Sequence, residues 1–170
     1  MERCKNRSFF ANLTTNGTLL TDEIVKYLND NRVMLVLSLD GSRKTHDHMR
    51  PYPGHVGSYD AAVKGFRKVI ESRHGKNYYL RGTYTHYNPH FCEDVLAMLD
   101  VGSEISMEPV VGTTEPWVLT EEDWPILDKE YEKLARAYLA KKRAGEPFDF
   151  FHFNVDLAQG PCAIKRLRGC

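Results

Sequence analysis

The sequence predicts an α/β chain: about four strand-then-helix units of a parallel, partial (β/α) barrel, followed by a short aromatic strand. Three observations predict it. Strand-length runs at residues 9–15, 33–39, 78–85 and 105–111 alternate with stretches whose apolar residues recur at helical spacing. The run Leu35-Val36-Leu37 is continuous, which suits a strand buried on both faces of a parallel sheet. Each run ends in polar or turn-forming residues, so parallel strands would collect them on one rim, where α/β sheets and barrels bind ligands. Four units are too few to close an eight-stranded barrel. Open strand edges are therefore expected, and with them a need for further barrel segments or a partner chain.

The elements follow in order. Residues 9–15 read as a strand closed by Asn16-Gly17, after which Thr21 caps a helix with Asp22 and Glu23 in its first turn, where the helix dipole favours negative charge. That helix is expected to present Ile24, Tyr27 and Leu28 on one face. The strand at 33–39 leads through a polar loop, residues 40–57, into a helix capped by Ser58 and carrying Ala62, Phe66, Val69 and Ile70. Residues 78–85 form a third strand, and Asn88-Pro89 opens a helix with Phe91, Val95, Met98 and Leu99 inward. The strand at 105–111 is interrupted by Pro109. A long charged helix is expected from Thr120 to about Arg143, and residues 148–157 are aromatic and strand-like. The domains expected are 1–147, the incomplete barrel, and 148–170, a linker and the start of a further domain.

With 170 residues and 42% hydrophobic composition the chain is of one-domain size and can bury an ordinary core. Lys plus Arg and Asp plus Glu both total 23, so no overall field attracts nucleic acid or an anionic membrane. No stretch approaches the ~20 apolar residues of a membrane span, and the first residues lack the apolar centre of a signal peptide. A cytoplasmic location is expected. Cys4, Cys92, Cys162 and Cys170 do not form the close pairs of a zinc ribbon. On spacing alone Cys162 and Cys170 are either metal ligands or incidental loop cysteines.

Residues 35–50 carry the most functional information. An apolar run ends in Ser38-Leu39-Asp40-Gly41, and Arg50 follows twelve positions after Ser38. Arginine with a nearby hydroxyl at a strand's carboxyl end is suited to a small carboxylate. Asn16 and Asp40 each read as a ligand contact or as a turn residue. Glu108 ends a strand and, if buried, must find a partner or shift its pKa. Arg81, inside a strand, calls for a salt-bridge partner or solvent. His46, His48 and His55 share the loop after Asp40 and read mainly as solvated histidines, since nothing nearby completes a tetrahedral metal set.

Together the segments 14–21 (Thr-Thr-Asn-Gly-Thr-Leu-Leu-Thr), 37–41 (Leu-Ser-Leu-Asp-Gly) with Arg50, 80–85 (Leu-Arg-Gly-Thr-Tyr-Thr), 105–111 (Ile-Ser-Met-Glu-Pro-Val-Val) and 160–170 (Gly-Pro-Cys-Ala-Ile-Lys-Arg-Leu-Arg-Gly-Cys) resemble radical S-adenosylmethionine (SAM) enzymes with a SPASM-type C-terminal extension. Within that family the likeness is to maturases of six-cysteines-in-forty-five-residues peptides, which form thioether cross-links. The resemblance implies the later units of a six-unit partial barrel, beginning at its third strand. It implies that Ser38 and Arg50 hold the SAM carboxylate, that Asn16 and Asp40 belong to the SAM site, and that Glu108 and Val110 border the adenosine. Cys162 and Cys170 would match the first ligands of an auxiliary [4Fe–4S] cluster. The Cys-x-x-x-Cys-x-x-Cys loop that holds the family's catalytic [4Fe–4S] cluster is absent from this sequence, as is the glutamate-bearing segment that receives the SAM amino group.

The implied function is that of part of a peptide maturase, inactive alone, whose whole enzyme acts on a ribosomal precursor peptide through a 5′-deoxyadenosyl radical. Two competitors stand beside it. One is a non-catalytic SAM- or peptide-binding module. The other is a barrel hydrolase using Asp40 and Glu108 as paired carboxylates.

Overall fold

A computed structural model describes residues 10–154. Five parallel strands lie in the sheet order β1-β2-β3-β4-β5: Asn12–Thr15, Met34–Ser38, Tyr78–Tyr84, Glu104–Pro109 and Asp149–Phe150. The connections carry helices α1 (Asp22–Asp30), α2 (Arg43–Met49), α3 (Tyr59–Ser72), α4 (Phe91–Met98) and α5 (Trp124–Arg143). Neighbouring strands follow the chain order without reversal, as expected of successive β-α units.

Burial separates the two faces of the sheet. Leu35, Leu37 and Leu39 of the β2 segment, Leu80 of β3, and Ile105 and Met107 of β4 are fully buried against the helices. They meet Phe66 and Val69 of α3, and Phe91, Val95 and Met98 of α4, in one core. The alternate residues point the other way, because successive strand side chains alternate faces. On that open face the register sets Ser38 beside Arg81, Arg81 beside Ser106, and Thr83 beside Glu108. Toward the carboxyl ends of the strands this face is polar, while Val36 and Tyr79 lie farther back with Phe151 against Tyr79, and among the described residues no α-helix covers it.

Local signals place most elements as expected. The Thr21 side chain accepts from the Ile24 N–H at 3.3 Å and caps α1. Its buried residues are Val25 and Leu28, whereas Ile24 and Tyr27 are 42% and 66% exposed, so the apolar face sits one position away from the expected one. The expected loop at 40–57 contains α2, seven residues long and capped by the Ser42 hydroxyl, which accepts from Thr45 N–H. Ser58 precedes α3 but does not cap it. The Asp47 carboxylate accepts the Tyr59 N–H at 2.8 Å instead. The last long helix starts at Trp124, because the Asp123 carboxylate folds back onto Thr120 N–H and hydroxyl and Pro125 opens the first turn. Of the expected second domain, residues 148–154 are described; Phe148 and Phe150 are buried, and β5 pairs with β4.

Candidate functional site

The carboxyl ends of β2, β3 and β4 build the site. Gly41 has φ of +116°, a conformation L side chains rarely adopt, and turns the chain directly after Asp40. The turn brings α2 back over the sheet, so Arg50, at the C-cap of α2, reaches the residue that preceded the turn. Arg50 Nε donates to Asp40 Oδ2 at 2.5 Å and Nη2 to Oδ1 at 3.2 Å. Asp40 Oδ1 also accepts the Thr83 N–H at 3.0 Å, which ties the pair to β3. The Asp40 side chain is 3% exposed and that of Arg50 38%. A buried carboxylate therefore grips one edge of a guanidinium whose other edge is left toward solvent, and that edge suits bidentate recognition of a second carboxylate.

A second ring of hydrogen bonds fixes α2 from behind. The Asp40 N–H donates to His46 Nδ1 at 3.3 Å, His46 Nε2 lies 3.1 Å from Ser58 Oγ, and the Ser58 hydroxyl donates to the Arg50 carbonyl at 2.6 Å. Since Nδ1 accepts, Nε2 carries the proton, and burial pushes the His46 imidazole below its ordinary range. His46 is thus a 1% exposed structural histidine, not the solvated loop residue expected. Its neutral form is the one the fold holds, so this contribution to stability is complete above the unfolded histidine value of about 6.5 and is lost as pH falls through the lowered folded value. Thermal unfolding should show an acid-side loss of Tm in the wild type that His46→Gln reduces. Equal pH slopes would contradict the assignment.

The other expected residues divide. Ser38 is 9% exposed, sits at the end of β2 and lies in register with Arg81. Asn16 is exposed and its Oδ1 accepts from Thr18 N–H and hydroxyl, which makes it a turn residue in this structure. Val110 extends β4 by donating its N–H to the Tyr84 carbonyl. Glu108 lies on the open face, where Oε1 accepts from the Ser106 hydroxyl at 2.5 Å and Oε2 sits 3.2 Å from His152 Nε2. His152 Nδ1 lies 2.9 Å from the Tyr131 hydroxyl, itself 3.3 Å from that of Tyr84. Burial alone would raise the Glu108 carboxyl, but Ser106, His152 and the nearby Arg81 charge outweigh it and hold it below the usual carboxylate range. Burial and the Tyr84 hydroxyl push the Tyr131 phenol up, so it stays protonated at neutral pH.

Sequence reasoning read His46 as a solvated loop residue and Ser58 as a helix cap, and gave Tyr131 and His152 no role. Only His152 left a signal, an isolated histidine in an aromatic stretch. Cys162 and Cys170 lie outside the described residues, as does Cys4. Cys92 is fully buried, and burial pushes its thiol up. Among the described residues no three His, Cys, Asp or Glu side chains are grouped to hold a metal ion. No helix among them is long and apolar enough to cross a membrane.

No family model matches the chain. A stretch of 63 residues is 27% identical to a cysteine-type anaerobic sulfatase-maturating enzyme of Clostridium novyi (strain NT), covering 37% of this chain and 17% of that protein. Among solved structures, native anSMEcpe with bound AdoMet superposes with a TM-score of 0.73 at 15% identity, over 89% of this chain and 42% of that one. The same protein with bound AdoMet and Kp18Cys peptide gives the same values. The chain spans less than half the length of these structures. Over that length it shares the α/β fold of these AdoMet-bound structures, with its five parallel strands forming an open sheet consistent with a partial barrel.

Proposed function

We propose that this chain is the later part of a SAM-binding maturase barrel and holds the SAM carboxylate between the Ser38 hydroxyl and the free edge of Arg50. The observation that carries the reading is the Asp40–Arg50 pair. Asp40 occupies the Nε and Nη2 side of the guanidinium and fixes its plane at the carboxyl end of β2, which leaves Nη1 aimed away from the buried carboxylate. Preorganised in this way, the fork loses little rotamer freedom when a carboxylate arrives. Asp40 is accordingly a positioning residue. With both its oxygens engaged by Arg50 and Thr83, it makes a poor free base for a paired-carboxylate hydrolase.

The whole enzyme's substrate is proposed to be a ribosomal precursor peptide in the cytoplasm, with thioether cross-linking as the finer reading. Neighbours of the same fold that carry Kp18Cys and Cp18Cys peptides support a peptide substrate. Bound SAM beside a reduced [4Fe–4S] cluster supplies radical chemistry, and the residues described here contribute binding and orientation. The ligands of the catalytic cluster would come from barrel segments or a partner chain beyond this sequence. Cys162 and Cys170 are proposed as the first ligands of an auxiliary cluster.

Calorimetry with SAM tests the site. Arg50→Ala should weaken binding at least tenfold, the loss of a charge-assisted fork being worth about 1.5–3 kcal/mol. Equal affinity of wild type and variant would remove the site. After incubation with iron and sulfide under reducing conditions, the chain alone should not cleave SAM, and turnover by it would contradict the need for a completing segment. Binding without cleavage is also what a SAM-binding module would give, and restored cleavage on adding the completing segment separates the two.

A further inference from the structure

Arg50 provides donors but little net charge, because Asp40 neutralises it at hydrogen-bond distance. A ligand carboxylate placed there would be the second negative charge beside one positive one, and a carboxylate leaving water without a net cation is poorly compensated. The open face holds another guanidinium. Arg81 lies in the middle strand of three, in register with Ser38 on β2 and Ser106 on β4, so its side chain leaves the sheet on the same face as the Ser38 hydroxyl. Its neighbours Leu80 and Gly82 are buried on the helix side, which fixes that orientation.

Arg81 is exposed and, among the described residues, makes no ion pair. The ion pairs described on this face are Asp40–Arg50 and Glu108–His152, and Arg81 belongs to neither. Its charge is nevertheless felt there, since it helps to hold the Glu108 carboxyl low. Of the β4 carboxylates on this face, Glu108 is already tied to Ser106 and His152, and Glu104 stands in register with Asp149, whose carboxyl it meets. Adjacent parallel strands are about 4.8 Å apart. A long arginine side chain on β3 therefore commands the space in front of Ser38.

We propose that Arg81 is a second carboxylate-binding residue of this site, supplying the net positive charge for the ligand carboxylate that Ser38 and the outer edge of Arg50 orient. The inference rests on the SAM reading above and adds a residue to it. Arg50 then acts through geometry and Arg81 through charge. The two arginines consequently differ in what replaces them: lysine keeps a charge but loses the fork.

The test uses the full 170-residue chain and two probes. S-adenosylhomocysteine carries the carboxylate, and 5′-methylthioadenosine keeps the nucleoside and thioether without it. Calorimetry, or chemical shifts where binding is weak, should show Arg81→Gln losing roughly tenfold for S-adenosylhomocysteine and less than twofold for methylthioadenosine. Arg81→Lys should retain most of the affinity, whereas Arg50→Lys should not. Rising salt should weaken the wild type more than Arg81→Gln. Unchanged affinity in Arg81→Gln with loss in Arg50→Ala overturns the role of Arg81 and leaves the SAM site standing. Equal losses for both probes overturn it as well, since the effect would then lie with the nucleoside. Failure of the wild type to bind either probe removes both readings together.

Discussion

Asp40→Ala should destabilise the chain by about 3 kcal/mol and abolish tight binding of a carboxylate ligand. The carboxylate lost is 3% exposed and serves two partners, the Arg50 guanidinium and the Thr83 N–H. Removing one member of a buried ion pair costs ~3–5 kcal/mol because the remaining charge is left uncompensated. Arg50 is 38% exposed and can partly rehydrate, which lowers the figure, while the orphaned Thr83 N–H adds to it. For a chain of this size the loss corresponds to roughly 6–12 °C in Tm. A double-mutant cycle isolates the pair: with Arg50 already replaced by alanine, the further change at Asp40 should cost at least 1 kcal/mol less than in the wild type. Additive losses would mean that Asp40 matters only as a turn residue. The binding loss has a separate cause, since an Arg50 freed from Asp40 regains its rotamers and no longer presents a fixed edge.

That dual role explains what the sequence could and could not reveal. The strand positions and the Thr21 cap follow from periodicity and local hydrogen-bonding chemistry, which act within a few residues, whereas of the aromatic stretch expected as a strand over 148–157 only Asp149–Phe150 is one, a 3-10 turn following at Phe151–Phe153. Ser38 and Arg50 stood out for their chemistry, a hydroxyl and an arginine flanking a glycine turn at a strand's end, and the structure sets Ser38 at the end of β2 and Arg50 against Asp40. Asp40 was equivocal. Its carboxylate is spoken for by a residue ten positions later and by a backbone amide 43 positions later, and neither partner leaves a local trace.

The misses share that origin. The helix Arg43–Met49 has only seven residues, two turns at most, too few for an apolar periodicity to stand out from a charged segment. His46 looked solvated because its sequence neighbours are polar, yet Ser58 and the edge-on packing against Tyr59 of α3 enclose it. Glu108 and His152 are 44 positions apart and meet only because β5 and the turn after it return to β4. Arg81, expected to need a partner or solvent, is exposed. Its meaning depends on which residues stand beside it on the neighbouring strands, and register is a property of the assembled sheet.

Gly41→Ala should cost about 4 kcal/mol and uncouple the site from the sheet. At φ of +116° an alanine is strained wherever its methyl points, a penalty of order 1–3 kcal/mol. Here the methyl would also lie 2.2 Å from Cβ of Asp94, a 6% exposed residue. That neighbour cannot swing aside as the tip of a flexible chain could, and its Oδ1 accepts the Ser42 N–H at 2.9 Å where α2 begins. Overpacking of this kind adds ~1–3 kcal/mol. The relief available is to shift the turn, and a shifted turn carries α2 with it. The distances from His46 to the Asp40 N–H and from Arg50 to the Asp40 carboxylate then lengthen together. The expected signature is therefore a joint one: lower Tm, loss of the acid-side dependence attributed to His46, and weaker carboxylate binding from one methyl group placed outside the ligand's reach. Asp94→Ala in the same chain should recover little, because alanine keeps the Cβ that the methyl meets at 2.2 Å and gives up the acceptor of the Ser42 N–H. A Gly41→Ala chain with unchanged Tm and ligand affinity would show that the turn tolerates another path, and that Asp40 and Arg50 meet without it.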